Sequence, residues 1–395
     1  MTGLREVLER HVGRGSAPGA VGMVARGDRV EVEAVGHADA GGRSPMARES
    51  IFRIASLTKQ VTAAAVMMLV EEGRFALEDP VGEWLPELAS PVVVRTPSGP
   101  VEDVVPAARP ITVLDLLTFR AGYGYAPDFS LPVVKLLFRD LKVDPVRPQS
   151  APGPDEWMAS LSRIPLLHQP GEGWLYHTCS DILGVLIARA SGMPLPEFFA
   201  ERLFEPLGMA DTGFAVPEGE RDRFTTLHLP ARRNGDVRPV DGPDGQWSSV
   251  PAFPSGGGGL VSTLDDWHSF ARMLLAEGTA EGATGTSAGR SGGGRRLLLP
   301  ASVRQMTTDR LTESQRRAGR HFLEGQGWGY GGSVDVEALE PWNVPGRYGW
   351  VGGSGTAAHV VPSTGAVTVL LTQLRLSEAS WPERMRDFWR YAAGV

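Results

Sequence analysis

The chain has 395 residues, 42% hydrophobic and 22% charged, enough for a sizeable folded core, which excludes intrinsic disorder and a collagen-like fibre. Its 39 Lys and Arg against 46 Asp and Glu leave a formal charge of −7 with no basic run, so no nucleic-acid partner is expected. Cys179 is the sole cysteine, which excludes an internal disulfide framework and any multi-cysteine metal site; no His-Glu-x-x-His pair is present, and neither metal nor cofactor is expected.

At the N-terminus, Leu4, Val7, Leu8 and Val12 recur at the spacing of an amphipathic helix, unlike a signal peptide. No apolar stretch of 18 residues occurs, so no membrane segment is expected and the sequence reads as cytoplasmic. Residues 20–26 and 29–36 read as two strands around a Gly27-Asp28 turn.

The segment from Ser50 to Gln60 is an extended apolar approach ending in Ser56, which opens a helix running through Val61, Ala64, Met68 and Leu69. Ser56 and Lys59, three residues apart, share one helix face. A serine hydroxyl needs an adjacent base to become a nucleophile, and a desolvated lysine of lowered pKa can be that base. Lys59 heads a helix that is apolar all round, the pattern of a buried helix, which places it in or beside the interior.

Helices are predicted over residues 113–118, 155–162, 180–191 and 264–276, separated by long Pro- and Gly-rich loops. Just before the third, a Gly-rich turn from Pro170 to Gly173 delivers Tyr176. Residues 277–294, rich in Gly, Ser, Thr and Ala, are expected to form a flexible surface loop. The Gly-x-Ser-x-Gly matches at 285–289 and 289–293 lack the strand before and helix after that this motif requires, and are read as chance. The run from Tyr348 to Thr356 is glycine-dense, which lets backbone N–H groups approach a ligand closely, as an oxyanion hole requires. Strands over 356–361 and 366–374 and a helix over 381–393 close the chain.

The expected fold class is α+β: one antiparallel sheet from both chain ends, flanked by helices, with a mostly helical lobe inserted and a cleft at the lobe boundary. The α/β region comprises residues 1–55 and about 305–395, and the helical region about 56–304, within a single catalytic domain.

With these motifs in place, the chain resembles the serine β-lactamase and penicillin-binding-protein superfamily, and within it the class C-like esterases known as family VIII carboxylesterases. Ser56-Leu57-Thr58-Lys59 matches the first motif, Tyr176-His177-Thr178 stands at Tyr-x-Asn, and Trp350-Val351-Gly352 stands at Lys-Thr-Gly. Family-like stretches also run from Leu114 to Gly122, Leu203 to Phe214 and Gly256 to Trp267. The resemblance implies that Ser56 is the acylated nucleophile, that Lys59 and Tyr176 share general-base and general-acid duty, and that the N–H groups of Ser56 and Gly353 form the oxyanion hole.

Two departures bear on substrate. Thr178 cannot offer the amide that the family's Asn offers, and Trp350 cannot pair with a carboxylate as the family's Lys does. Both point to small, largely uncharged esters, with Trp350, Gly352, Tyr125 and Thr178 expected to contact substrate. Alternatives on the same site are an acyltransferase, an amide hydrolase or a weak β-lactamase; from another class, a non-catalytic ligand-binding homologue. The expected partner is therefore a small-molecule ester or amide. Tyr125, beside Tyr123, either faces substrate or packs under a loop. A Cys179–His177 couple lacks an evident base and oxyanion hole, Asp181 reads as a cap or first-turn acid, and His359 as part of a strand.

Overall fold

A strand that is apolar on both faces needs cover on both sides, and that requirement shapes the whole chain. The computed structural model describes residues 3–13, 16–27, 29–230, 236–280, 294–376 and 381–395. Helix α1 (Leu4–Glu9) leads into β1 (Gly19–Arg26), buried along all but its last residue, and β1 pairs antiparallel with β2 (Arg29–Gly36). The inserted segment carries α2 (Thr58–Glu71), α3 (Pro132–Leu141), α4 (Thr178–Ser191) and α5 (Leu264–Leu275), with shorter helices between them. The chain then returns through β3 (Gly327–Trp328), β4 (Ser333–Val334), β5 (Tyr348–Gly352), β6 (Thr356–Val361) and β7 (Ala366–Thr372), and ends in α6 (Glu383–Ala393).

The seven strands form one antiparallel sheet in the order β3-β4-β5-β6-β7-β1-β2. Met23 lies opposite Val369 and Val21 opposite Leu371, so the N-terminal hairpin completes a sheet begun by the C-terminal strands. Strand alternation divides the side chains between two layers. Ala20, Val24 and Leu370 pack with Leu4, Leu8, Met385, Phe388 and Trp389 of the terminal helices. Val21, Met23, Val369 and Leu371 join the central core, which continues without interruption into the inserted helices. The α+β class expected from sequence is the one observed.

Helix α2 is buried from Thr58 to Leu69 and packs against α4, so the all-round apolar pattern did mark a central helix. Several elements were not anticipated, among them β3, β4, β5 and α3. Strand β5 is Tyr-Gly-Trp-Val-Gly, and its glycines mask a strand by propensity. Helix α3 buries Val133, Val134, Leu137 and Leu141 behind a Pro at its first turn, an amphipathic pattern that the sequence carries. Within the inserted segment, short hairpins also pair Val92–Val94 with Val104–Pro106 and Leu227–Leu229 with Arg238–Asp241.

The expected flexible loop over 277–294 falls mostly outside the described residues, as do both Gly-x-Ser-x-Gly matches. At its edge, Thr279–Ala280 pairs with Arg295–Arg296. Among the described residues no single helix is long and apolar enough to cross a membrane.

Candidate active site

The turn that presents Ser56 is fixed from both sides. The short strand Phe52–Arg53 pairs with Val261–Ser262, and the Ile54 N–H donates to the Leu260 carbonyl at 3.0 Å. Arg53 is buried beneath it, paired with Asp241 and donating to the Thr225 carbonyl at 2.6 Å. Ala55 then takes a left-handed conformation, φ 48°, which costs a residue with a Cβ about 1–2 kcal/mol. What holds it there comes from the β5–β6 turn: the Ser354 hydroxyl donates to the Arg53 carbonyl and the Thr356 hydroxyl to the Ile54 carbonyl, the latter at 3.1 Å. Gly352 permits this approach, because a Cβ there would stand 2.5 Å from the Ile54 carbonyl oxygen.

Ser56 therefore stands at the mouth of a cleft, partly exposed, while Lys59 one turn on is fully buried. Lys59 Nζ lies 3.1 Å from Ser56 Oγ and 3.1 Å from His177 Nδ1, and contacts the Gly257 carbonyl. Burial lowers Lys59 to about 7, opposed by the negative charge of Asp181. The neutral amine is thus accessible near neutral pH, as it is not for a solvated lysine.

Tyr176 approaches from the opposite wall. Its hydroxyl accepts the indole N–H of Trp350 at 2.7 Å and is influenced by the nearby Ser56. Burial pushes the phenol up to about 12, and the neighbouring Ser56 and Trp350 work against that rise. The ring is stacked on Phe322 and boxed by Trp174, Trp328 and Trp350.

The pair that sequence reasoning missed is His177 and Asp181. His177 has φ 84° and ψ −68°, and the Thr178 N–H donates back to the Tyr176 carbonyl at 3.3 Å, closing the rare, strained form of γ-turn. That kink carries Tyr176 and His177 into one site from adjacent positions. His177 Nε2 lies 3.3 Å from Asp181 Oδ2, and Asp181 also accepts the Ser255 hydroxyl at 2.6 Å and the Gly257 N–H at 2.9 Å. Despite burial, these donors hold Asp181 below the usual carboxylate range, while burial and the neighbouring Lys59 lower His177. The imidazole is then neutral, with its proton on Nε2 facing the carboxylate and its Nδ1 lone pair facing Lys59. Asp181 sits in the first turn of α4, as expected, but its carboxylate faces the site. The i, i+4 spacing of His177 and Asp181 was the available signal.

The Lys59 amine thus has two partners that can only accept, the Gly257 carbonyl and His177 Nδ1. A neutral amine has two N–H bonds and one lone pair. With both N–H bonds donated to those acceptors, the lone pair is left for the Ser56 hydroxyl. The arrangement can take a proton from Ser56 into Lys59 and return one to a leaving group through Tyr176.

A cavity of about 200 Å³ opens from Ser56, lined by apolar groups including Phe138, Val143, Pro148, Leu227 and Phe253. Gly353 and Tyr125 line it as well, and at Gly353 nothing stands within 4 Å of where a Cβ would point. Tyr125 stacks on His177 at 5.2 Å and pairs its backbone with Tyr176. Trp350 and Thr178 are buried and are not among the cavity-lining residues; Trp350 instead reaches the reacting region through the Tyr176 oxygen. Gly352 acts as the close-approach point described above. Tyr123 packs under the loop with its hydroxyl on the Ile164 carbonyl, and Cys179 is buried, its thiol pushed up to about 12 by burial. His359 is a buried strand residue set edge-on to Trp389.

A family model described as Beta-lactamase matches residues 4–387. The chain is 38% identical over 379 residues to Protein Rv1367c of Mycobacterium tuberculosis, covering 94% of this chain and 88% of that one. It is 34% identical over 268 residues to Esterase EstB of Burkholderia gladioli, covering 63% of each. In fold it is similar to EstCE1, a hydrolase with promiscuous acyltransferase activity, with a TM-score of 0.79, 24% identity, and coverage of 99% of this chain and 97% of the other.

Proposed function

The chain belongs to the Beta-lactamase family and is an enzyme of the serine-hydrolase type, and we propose that it hydrolyses small carboxylic esters through an acyl-enzyme on Ser56. The observation that carries this reading is the buried Lys59 amine 3.1 Å from Ser56 Oγ, with its other contacts to acceptors only. In the acylation step Lys59 takes the Ser56 proton as Oγ attacks the ester carbonyl, and the carbonyl oxygen becomes an oxyanion held by the N–H groups of Ser56 and Gly353. The intermediate collapses with loss of the alkoxide, which Tyr176 protonates; Lys59 returns the proton to Tyr176. Water repeats the sequence on the acyl-enzyme and releases the acid. Trp350 supports Tyr176 by donating to the phenolic oxygen, which stabilises any negative charge it gains in transit. The apolar walls of the cavity suit an alkyl or acyl chain better than a peptide.

Hydrolysis of p-nitrophenyl butyrate by the wild type and by Ser56→Ala tests this reading. The expected result is turnover by the wild type, loss of at least about a thousandfold in the variant, and a butyryl mass adduct on the wild type alone. Full activity in Ser56→Ala would sink the assignment. Acyl transfer to an alcohol uses the same intermediate and is supported by the acyltransferase activity of the structurally similar EstCE1. Partition of a labelled butyryl group between water and added alcohol decides between them.

A further inference from the structure

The cavity that opens from Ser56 holds several polar side chains, and nearly all of them are committed. Arg53 is engaged by Asp241 and the Thr225 carbonyl, His177 by Asp181 and Lys59, Ser255 by Asp181, and Ser354 by the Arg53 carbonyl. Among the cationic side chains the exception is Arg375, which follows β7 and lines the same cavity. Its backbone is anchored on both sides, with its own N–H on the His228 carbonyl and the Leu376 N–H on the Gly353 carbonyl, both at 2.9 Å. Its guanidinium is half-buried and, among the described residues, has no hydrogen-bond acceptor and no carboxylate within 4 Å. Asp144 lines the cavity too and attracts Arg375 through space, but its carboxylate accepts the Val146 N–H at 2.8 Å.

A guanidinium stays charged at every accessible pH and carries five donors, so a half-buried one without acceptors is a site prepared for an anion. We propose that Arg375 binds a carboxylate carried by the substrate, so that the enzyme acts on half-esters and other ester acids in preference to neutral esters. The inference rests on the ester-hydrolase reading above and refines its substrate. Trp350 takes away the cation at the third motif, which argues for uncharged esters; the cavity regains a cation from the end of a different strand. The class of anion follows from the surroundings. Arg375 is one positive charge with Asp144 facing the same space, which suits a singly charged carboxylate and disfavours a phosphate dianion. The small apolar cavity leaves room for a short carbon chain between that carboxylate and the ester.

Three substrates test the proposal: p-nitrophenyl butyrate, mono-p-nitrophenyl glutarate with its carboxylate on the acyl chain, and 4-butyryloxybenzoate with its carboxylate on the alcohol. The readout is kcat/KM for each acid relative to the neutral ester, in the wild type, Arg375→Met, Arg375→Lys and Asp144→Asn. The wild type should favour one of the two acids, which also tells on which side of the ester the carboxylate lies. Arg375→Met should collapse that ratio about 10- to 100-fold, Arg375→Lys should restore part of it, and Asp144→Asn should raise it. A ratio unmoved by Arg375→Met, or a wild type that turns over butyrate and favours neither acid, overturns the anion site and leaves the ester hydrolase standing. A wild type silent on all three esters overturns the ester-hydrolase reading, and the anion site as an ester-recognition element falls with it.

Discussion

Lys59 has one neighbour with a proton to give and two with none, and most of the expected behaviour of single residues follows from that asymmetry. The base must be the neutral amine, so kcat/KM should rise with pH through an ionisation near 7 and level off above it. A pH profile of ester hydrolysis lacking that acid limb would contradict the role given to Lys59. The same shift is a stability statement. Between about 7, the folded value, and 10.5, the ordinary one, the unfolded chain holds the Lys59 proton and the folded chain does not, so the native state gains stability as pH rises through that window. Lys59→Met lacks this dependence, and its stability relative to the wild type should fall by about 2 kcal/mol from pH 7 to pH 9 in urea titrations. Asp181→Asn removes the carboxylate that fixes the His177 proton on Nε2. It should lower kcat at least about tenfold and shift the His177 ring nitrogens in ¹⁵N NMR; a variant with normal kcat would show that the tautomer does not matter.

At the scale of elements, the site is a contact between the β5–β6 turn and the approach to α2, and adjacent glycines have opposite sensitivities. A Cβ on Gly352 meets Thr356 Oγ1 at 2.2 Å and the Ile54 carbonyl at 2.5 Å, whereas a Cβ on Gly353 meets open space. Gly352→Ala should lose about 1–3 kcal/mol together with activity, while Gly353→Ala should melt like the wild type. Equal melting temperatures for the two variants would remove the argument that this contact locks the nucleophile turn.

The elements themselves were largely legible. Burial of Lys59 followed from the apolar run behind it, and the sheet from alternating strands at both ends. What was not legible has local physical causes. His177 enters the site through a strained γ-turn, and nothing in Tyr-His-Thr announces a positive φ. The strand under Trp350 is masked by its glycines, and the direction of the Trp350 side chain depends on the Tyr176 oxygen, which only tertiary packing brings near. Arg375 could not be singled out because an unpaired cation is defined by what fails to surround it.

The molecule as a whole is tied together at the sheet, where β1 and β2 from one end complete strands from the other. Inner-face residues such as Met23 and Val369 share one core with Val61 of α2 and Ile182 of α4. The α/β region and the helical region should therefore unfold as one unit, giving coincident urea transitions by far-UV circular dichroism and tryptophan fluorescence. Separated transitions would mean that the inserted segment is an independent domain. Pairing the two termini across the whole sequence also predicts slow folding, since the sheet closes only after synthesis is nearly complete. The bond between Trp350 and Tyr176 has a last consequence, an optical one. A phenolate in contact with an indole quenches its emission more strongly than a neutral phenol does, so a proton leaving Tyr176 should dim Trp350. The catalytic centre thus carries a built-in fluorophore, and the difference between wild-type and Trp350→Phe emission across pH would report the charge on Tyr176 without any added label.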